Sequence, residues 1–277
     1  MPKHLKSTGP ALGLLLLVGI NALAQRVLAL DPKSSDARAI LSAVLDAPNI
    51  SRSLSRMKMS IRDRSGTRER IMSMRAKRYD NARKSLIVIE QPSDVRNTSF
   101  LTVDYFARER ADEQWIFLPK LHRVSRVPSS GKAGSFVGSD FSISDLSPQS
   151  ADSFEVKLLE PAVKVGDEEC WLLETRPRNE AVRDETGYEK TQTWISKKKQ
   201  VTVQIKMWLP GGSRTKYFKA SDIRQVNGVW TAHRNQMRTL DGTNLVSETL
   251  LEMLNVDNDA KDVSDNDFTQ QRLEQGI

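Results

Sequence analysis

Cysteine is almost missing from this chain of 277 residues: Cys170 stands alone, so no internal disulfide can form. Histidine is nearly as scarce. Beyond His4, only His122 and His233 are present, and with one cysteine they cannot close a structural zinc site without carboxylates. No Gly-x-Ser-x-Gly is present to seat a hydrolase nucleophile. Pro128-Ser-Ser-Gly-Lys-Ala-Gly-Ser135 resembles a phosphate loop only superficially, because Ala133 follows Lys132 where Ser or Thr is needed. Asp257, Asp259 and Asp262 suggest calcium, but the loop lacks the Gly at its sixth position and the Glu at its twelfth, so a solvated acidic tail is expected. Cys170 lies in the apolar run Glu169-Cys-Trp-Leu-Leu, the setting of a buried, inert thiol. No constellation supplies a nucleophile, a base and an orienting group, so no enzyme, metal or cofactor is expected.

Apolar runs are short throughout. The one near the start, Ala11 to Ile20, follows Lys3, His4 and Lys6 and precedes Ala22-Leu23-Ala24, the small-x-small pattern of a signal-peptidase site. At about ten residues it is half the length a membrane-spanning helix needs. A signal peptide over residues 1–24, cleaved after Ala24, is therefore expected, with export to the periplasm. The next residue is Gln25 rather than the cysteine that lipidation requires. Residues 25–277 are then expected to form a single domain, soluble in view of the mean hydropathy of −0.48. The formal charge of +7 is modest, and export argues against nucleic acid as a partner.

The hydropathy pattern has one helical stretch. Ala37, Ile40, Leu41, Val44 and Leu45 recur at helical spacing within 36–45, and Pro48 would end it. After that the period is two. Met57, Met59 and Ile61 alternate with Arg56, Lys58, Ser60 and Arg62, Asp63–Gly66 supplies a turn, and a second strand returns from Ile71 to Tyr79. About ten more short strands follow, around 86–89, 100–105, 115–118, 124–127, 154–159, 170–175, 191–195, 201–208, 213–222 and 245–254. Val165-Gly166-Asp167, Pro210-Gly211-Gly212 and Asn227-Gly228 stand between them as hairpin turns. About a dozen strands with few long helices between them predict a mainly β, antiparallel sheet.

Two segments interrupt the rhythm. Pro92–Ser99 reads as a turn or short helix. Pro128–Ser147 is rich in Ser and Gly yet carries Phe136, Val137, Phe141, Ile143 and Leu146, which a flexible linker would not need, so an ordered lid or short helical insertion packed on the sheet is expected. The tail, 255–277, is polar and acidic, with Phe268 and Leu273 as its anchors.

The segments Asp94–Tyr105, Asp112–Pro119, Arg123–Val127 and Gly134–Phe141, with Tyr188-x-Lys-x-x-x-Trp-Ile195 and the closing Asp267, Phe268 and Leu273, resemble the outer-membrane lipoprotein-sorting family of LolA/LolB-like proteins. That resemblance covers most of the chain. It implies an open antiparallel half-barrel whose concave face is plugged by helices, and a periplasmic carrier of lipid, lipoprotein acyl chains or another hydrophobic cargo. A transporter of the resistance-nodulation-division type in the inner membrane would be its partner, with transient membrane contact. The helix at 36–45 and the insertion at 128–147 are the segments available as plug.

Strand alternation then nominates a cargo-lining set: Met57, Met59 and Ile61 on the first strand, Met72 and Met74 on the second, Leu86 and Val88 on the third, and Phe136 and Phe141 in the insertion. Trp115 and Phe117 join it, although Ile116 and Leu118 on the opposite parity are equally apolar and the parity facing the cargo is open. Lys120, His122, Arg123, Arg126 and Lys132 form a basic block, read either as a solvated face or as a docking patch for lipid headgroups or an acidic partner. A protein-interaction or assembly module without lipid cargo is the alternative function.

Overall fold

The computed structural model describes residues 30–45, 50–106, 110, 112–147 and 149–275; the expected signal peptide, Gln25 and Pro48 lie outside these. Asp36 opens the first helix, α1 (Ala37–Leu45), by accepting from the backbone N–H groups of Arg38 (2.9 Å) and Ala39 (3.1 Å). Ile40 and Leu41 are its buried residues, and they pack on the sheet.

Thirteen strands follow among the described residues. The first six are β1 (Arg52–Asp63), β2 (Gly66–Arg78), β3 (Ala82–Gln91), β4 (Ser99–Tyr105), β5 (Glu113–Leu118) and β6 (Arg123–Arg126). After the insertion come β7 (Phe154–Val165), β8 (Glu168–Pro177), the helix α2 (Glu180–Thr186), β9 (Lys190–Ser196), β10 (Thr202–Trp208), β11 (Arg214–Val226), β12 (Val229–Asp241) and β13 (Asn244–Asp257). A last helix, α3 (Gln270–Gln275), closes the described chain. Each strand pairs antiparallel with its sequence neighbour in two meanders, β1 to β6 and β7 to β13, and β1 pairs with β13 to join them. The result is one open sheet with β6 and β7 at its two edges.

That topology fixes where the insertion must go. The chain leaves β6 at one edge and re-enters at β7 on the other, so residues 127–153 have to cross the whole sheet. The crossing also reveals the curvature. Phe136 and Phe141 are joined by a backbone hydrogen bond of 2.8 Å, yet the Phe136 ring meets Phe100 on β4 (centroids 4.6 Å apart) and the Phe141 ring meets Phe218 on β11 (6.5 Å). Six strand spacings separate β4 from β11, about 29 Å along a flat sheet. The sheet therefore wraps around the insertion as a half-barrel, with an inner face toward it and an outer face away from it.

Two readings are extended by the structure. The turn at Asn227-Gly228 leads into β12, which lacks a clear alternation because its inner-facing positions include His233 and Asn235 as well as Met237. The acidic tail is also built in. Ser264 and Asp267 form a capping box, Asp265 accepts from Lys77 Nζ (2.6 Å) and Tyr79 Oη (2.5 Å), and Asp267 lies 3.6 Å from the Arg75 guanidinium. Phe268 and Leu273 are buried against Leu86, Val88, Leu101 and Phe117 on the outer face of β3, β4 and β5.

Candidate functional site

The inner face is a methionine surface. Five buried methionines, Met57, Met59, Met72, Met207 and Met237, with Met74 and Met253 packed beside them, belong to one cluster. These are seven of the eight methionines in the chain. Pairing aligns them: Met57 faces Met72 on β2 and Met253 on β13, and Met59 faces Leu251. Unbranched thioethers repack around objects of different shape, which a surface built of Ile and Val does poorly.

The insertion lies on this surface. Ile143 N–H donates to Gly134 O (3.0 Å) and Ser144 N–H to Lys132 O (2.8 Å), making a narrow hairpin-like loop with Phe136 and Phe141 at its heart. At its tip Ser139 N–H donates to Phe136 O (3.0 Å) across Val137 (φ 46°) and Gly138 (φ 78°), both left-handed. A β-branched residue in that region is strained by about 1–3 kcal/mol, which the surrounding contacts must over-determine.

Polar latches hold it there. The buried Asp140 carboxylate accepts from Thr239 Oγ1 (2.5 Å), Thr249 Oγ1 (2.7 Å) and Ser247 Oγ, reaching β12 and β13 at once. Asp145 accepts from Tyr188 Oη (2.8 Å), and burial, then Asp145 itself, holds that phenol well above its ordinary pKa. Lys132 Nζ donates to Glu185 on α2 (2.7 Å) and lies 3.4 Å from Asp112. Gly187, the left-handed C-cap of α2, admits a close approach here, since a Cβ on it would sit 3.0 Å from the Cβ of Ala133. Beside this root lies Asp104 on β4, buried with both carboxylate oxygens unpartnered; burial, then Asp112, pushes its pKa up to about 7.

Little space remains beneath the insertion. The cavity between Phe100, Phe136, Ile143 and Leu146 measures about 20 Å³, room for about one water. The larger hollows, of about 300 and 500 Å³, open on the outer face around Gln91 and are lined by polar and charged groups such as Arg96, Lys58 and Glu69. No group of three or more His, Cys, Asp or Glu among the described residues could hold a metal, and no described helix is long and apolar enough to cross a membrane.

Comparison places this architecture. A family model described as an uncharacterized protein matches residues 81–275. A structure described as an outer membrane lipoprotein-sorting protein domain from Vibrio parahaemolyticus shares the fold at TM-score 0.74 and 24% identity, covering 86% of this chain and 96% of that one. A DUF1329 family protein from Desulfovibrio piger matches at TM-score 0.75 and 25% identity, covering 87% and 100%. A LolA superfamily protein from Nitrosomonas europaea matches at TM-score 0.63 and 16% identity, covering 85% and 98%. The chain belongs to the family that the matching model describes, and its fold is LolA-like. No curated protein matches the sequence.

Within the LolA-like frame the nominated residues divide by face. Met57, Met59, Ile61, Met72, Met74, Phe136 and Phe141 meet in the inner cluster. Leu86, Val88, Trp115 and Phe117 do not: they pack on the outer face under the C-terminal segment. The run Leu86-Ile87-Val88-Ile89 is apolar on both parities because both faces of β3 are covered there, and Ile87 is the residue that joins the inner cluster. On β4 and β5 the inner residues are Phe100 and Ile116. Lys120, Arg123 and Arg126 are exposed at the β6 edge, whereas Lys132, 3% exposed, is taken up in the ion pairs at the root of the insertion and offers no docking surface. Leu209 and Val137 also pack on the inner cluster. The 36–45 helix covers a separate inner patch, Trp171, Leu173 and Ile195.

Proposed function

We propose that this protein is an exported, periplasmic carrier that shelters lipid, lipoprotein acyl chains or another hydrophobic cargo on its inner face in transit between membranes. The methionine surface is the observation that carries this reading. Seven methionines drawn from β1, β2, β10, β12 and β13 converge on the inner face, beneath the insertion rather than beneath a second sheet. An acyl chain of about sixteen carbons costs roughly 12 kcal/mol to expose to water, so a carrier needs an apolar face of this kind.

In this reading the insertion occupies the cargo site of the unloaded protein. Met57, Met59, Ile61, Met72 and Met74 would line the site, and Phe136 and Phe141 stand in for the cargo until it arrives. The latches through Asp140, Asp145 and Lys132 are polar and few, and the strained Val137 turn favours release. Lys120, Arg123 and Arg126 at the β6 edge would meet lipid headgroups or an acidic partner, for which a resistance-nodulation-division transporter is the expected candidate. In this reading residues 25–277 are a single domain that follows a signal peptide at 1–24, and the site binds its cargo without catalysing a reaction.

The small cavity favours a second reading, an assembly module whose filled interior never takes cargo. A lock separates the two. Asp140→Cys with Thr249→Cys replaces side chains that hydrogen-bond at 2.7 Å, in a chain whose own Cys170 is buried. A carrier takes up a fluorescent fatty acid when the pair is reduced and loses that uptake when it is oxidised. Equal, negligible uptake in wild-type and reduced protein, with no lipid in organic extracts by mass spectrometry, would establish the assembly module instead.

A further inference from the structure

Charge is distributed unevenly along the chain. Residues 190–221 contain eight Lys and Arg and no Asp or Glu, so this stretch alone exceeds the +7 of the whole sequence. It forms β9, β10 and most of β11, three adjacent strands. Register sorts its side chains. Ile205 and Phe218 are cross-strand partners that point to the inner cluster, so the opposite parity, Lys206 paired with Tyr217 and Gln192, and Trp208 paired with Lys190, points outward. Lys219 and Trp194 are both partners of Gln204 on that same outer face.

The outward set is a platform of rings and cations. Lys190 and Lys206 place their ammonium groups 4.5 and 4.7 Å from the Trp208 ring centroid, and Lys206 lies 5.4 Å from that of Tyr217. Trp194, Trp208 and Tyr217 are half-buried, and Lys219 is exposed. Glu174 neutralises Lys190 at 3.3 Å, while Lys206 and Lys219 have no carboxylate within ion-pair distance among the described residues. The tail that covers the outer face over β3 to β5 does not reach these strands.

We propose that the outer face of β9–β11 docks the protein on an anionic phospholipid bilayer. The chemistry fits a membrane surface more closely than a protein partner. Trp and Tyr rings settle at the level of lipid headgroups, and lysines extend their charges from apolar stems toward phosphates. This surface lies nine strands from the β6 edge and its basic residues, and it stands whether or not the inner face carries cargo.

Co-sedimentation with vesicles of phosphatidylcholine alone, or mixed with phosphatidylglycerol, tests it. The protein should bind the mixed vesicles at low salt and release them at high salt. Lys206→Gln with Lys219→Gln should weaken that binding about 25-fold, at roughly fivefold per lysine. Brominated lipid should quench tryptophan fluorescence, and Trp208→Phe should lose part of that quenching while retaining the fold by circular dichroism. Failure to bind anionic vesicles overturns the proposal, and so does binding that the double substitution leaves unchanged. Loss of quenching contact despite lysine-dependent binding to an acidic protein would assign the surface to a protein partner and overturn it equally.

Discussion

Asp140→Ala should free the insertion while leaving the sheet intact. Asp140 is 5% exposed and its carboxylate takes three hydroxyl donors, Thr239 at 2.5 Å, Thr249 at 2.7 Å and Ser247. Hydrogen bonds to a charged group contribute about 1.5–3 kcal/mol each, so the three together reach about 4–9 kcal/mol gross. Removing the carboxylate also removes the several kcal/mol spent in desolvating it. The net loss should be about 3 kcal/mol, placed on the insertion because the three hydroxyl residues stay in their own strands. At 1.36 kcal/mol per factor of ten, that is about 150-fold in the equilibrium for local opening.

Amide hydrogen exchange reads this directly. The N–H groups of Phe136, Ser139 and Ile143 bond only within the insertion, so in Asp140→Ala they should exchange about 150-fold faster. Amides of β8 and β9, away from Asp140, should keep their wild-type rates. Asp140→Asn, which keeps the shape and an acceptor oxygen, should fall between the two. Uniform acceleration across sheet and insertion would refute the reasoning, because it would make the insertion part of one cooperative unit with the sheet.

Other substitutions report on other parts of the structure. The Asp104 pKa is raised from 3.8 to about 7, so this group favours the folded state below about pH 4 and that contribution is lost as pH rises through about 7; urea unfolding should show Asp104→Asn gaining up to about 4 kcal/mol on wild type across that window, and parallel curves would refute it. The Cys170 thiol is fully buried and its pKa is pushed up to about 11 by burial and then by Glu168 and Glu169, so a thiol reagent at mildly alkaline pH should label it only on denaturation. Phe268→Ala should cost about 3–4 kcal/mol in urea unfolding by opening the outer cluster, whereas a change under 1 kcal/mol would mean the tail is dispensable.

The strand pattern was legible wherever one face is buried and the other wet. Met57, Met59 and Ile61 alternate cleanly because their neighbours Arg56, Lys58 and Arg62 stand on an outer face that nothing covers. Alternation failed on β3 and β5, where both faces are buried and parity carries no information. It failed differently on β12, where polar residues stand on both sides. The tail was readable as far as its anchors, Phe268 and Leu273, but the pairing of Asp265 and Asp267 with Lys77 and Arg75 depends on contacts across almost two hundred residues of sequence. Lys132 looked like one more exposed cation in a basic block, since its partners Asp112 and Glu185 come from separate segments. The β9–β11 platform was invisible for a related reason: Lys206, Trp208, Tyr217 and Lys219 become neighbours only through strand register.

The filled interior and the carrier reading are compatible on energetic grounds. An apolar face of this extent has to be covered at all times, so the relevant quantity is the difference between two covers. Withdrawing the insertion exposes Phe136, Phe141, Val137, Ile143 and Leu146, at about 1.5–3 kcal/mol each, or roughly 7–15 kcal/mol in all. An acyl chain of about sixteen carbons entering in its place recovers roughly 12 kcal/mol. The two nearly cancel, and a near-balanced exchange is what a carrier requires, because a cargo bound much more tightly than its own plug could not be handed on. The polar latches then set the direction of the balance. In the proposed carrier, the three hydroxyls on Asp140 would keep the plug seated in free solution, and a partner that disturbs this anchor would tip the exchange toward cargo.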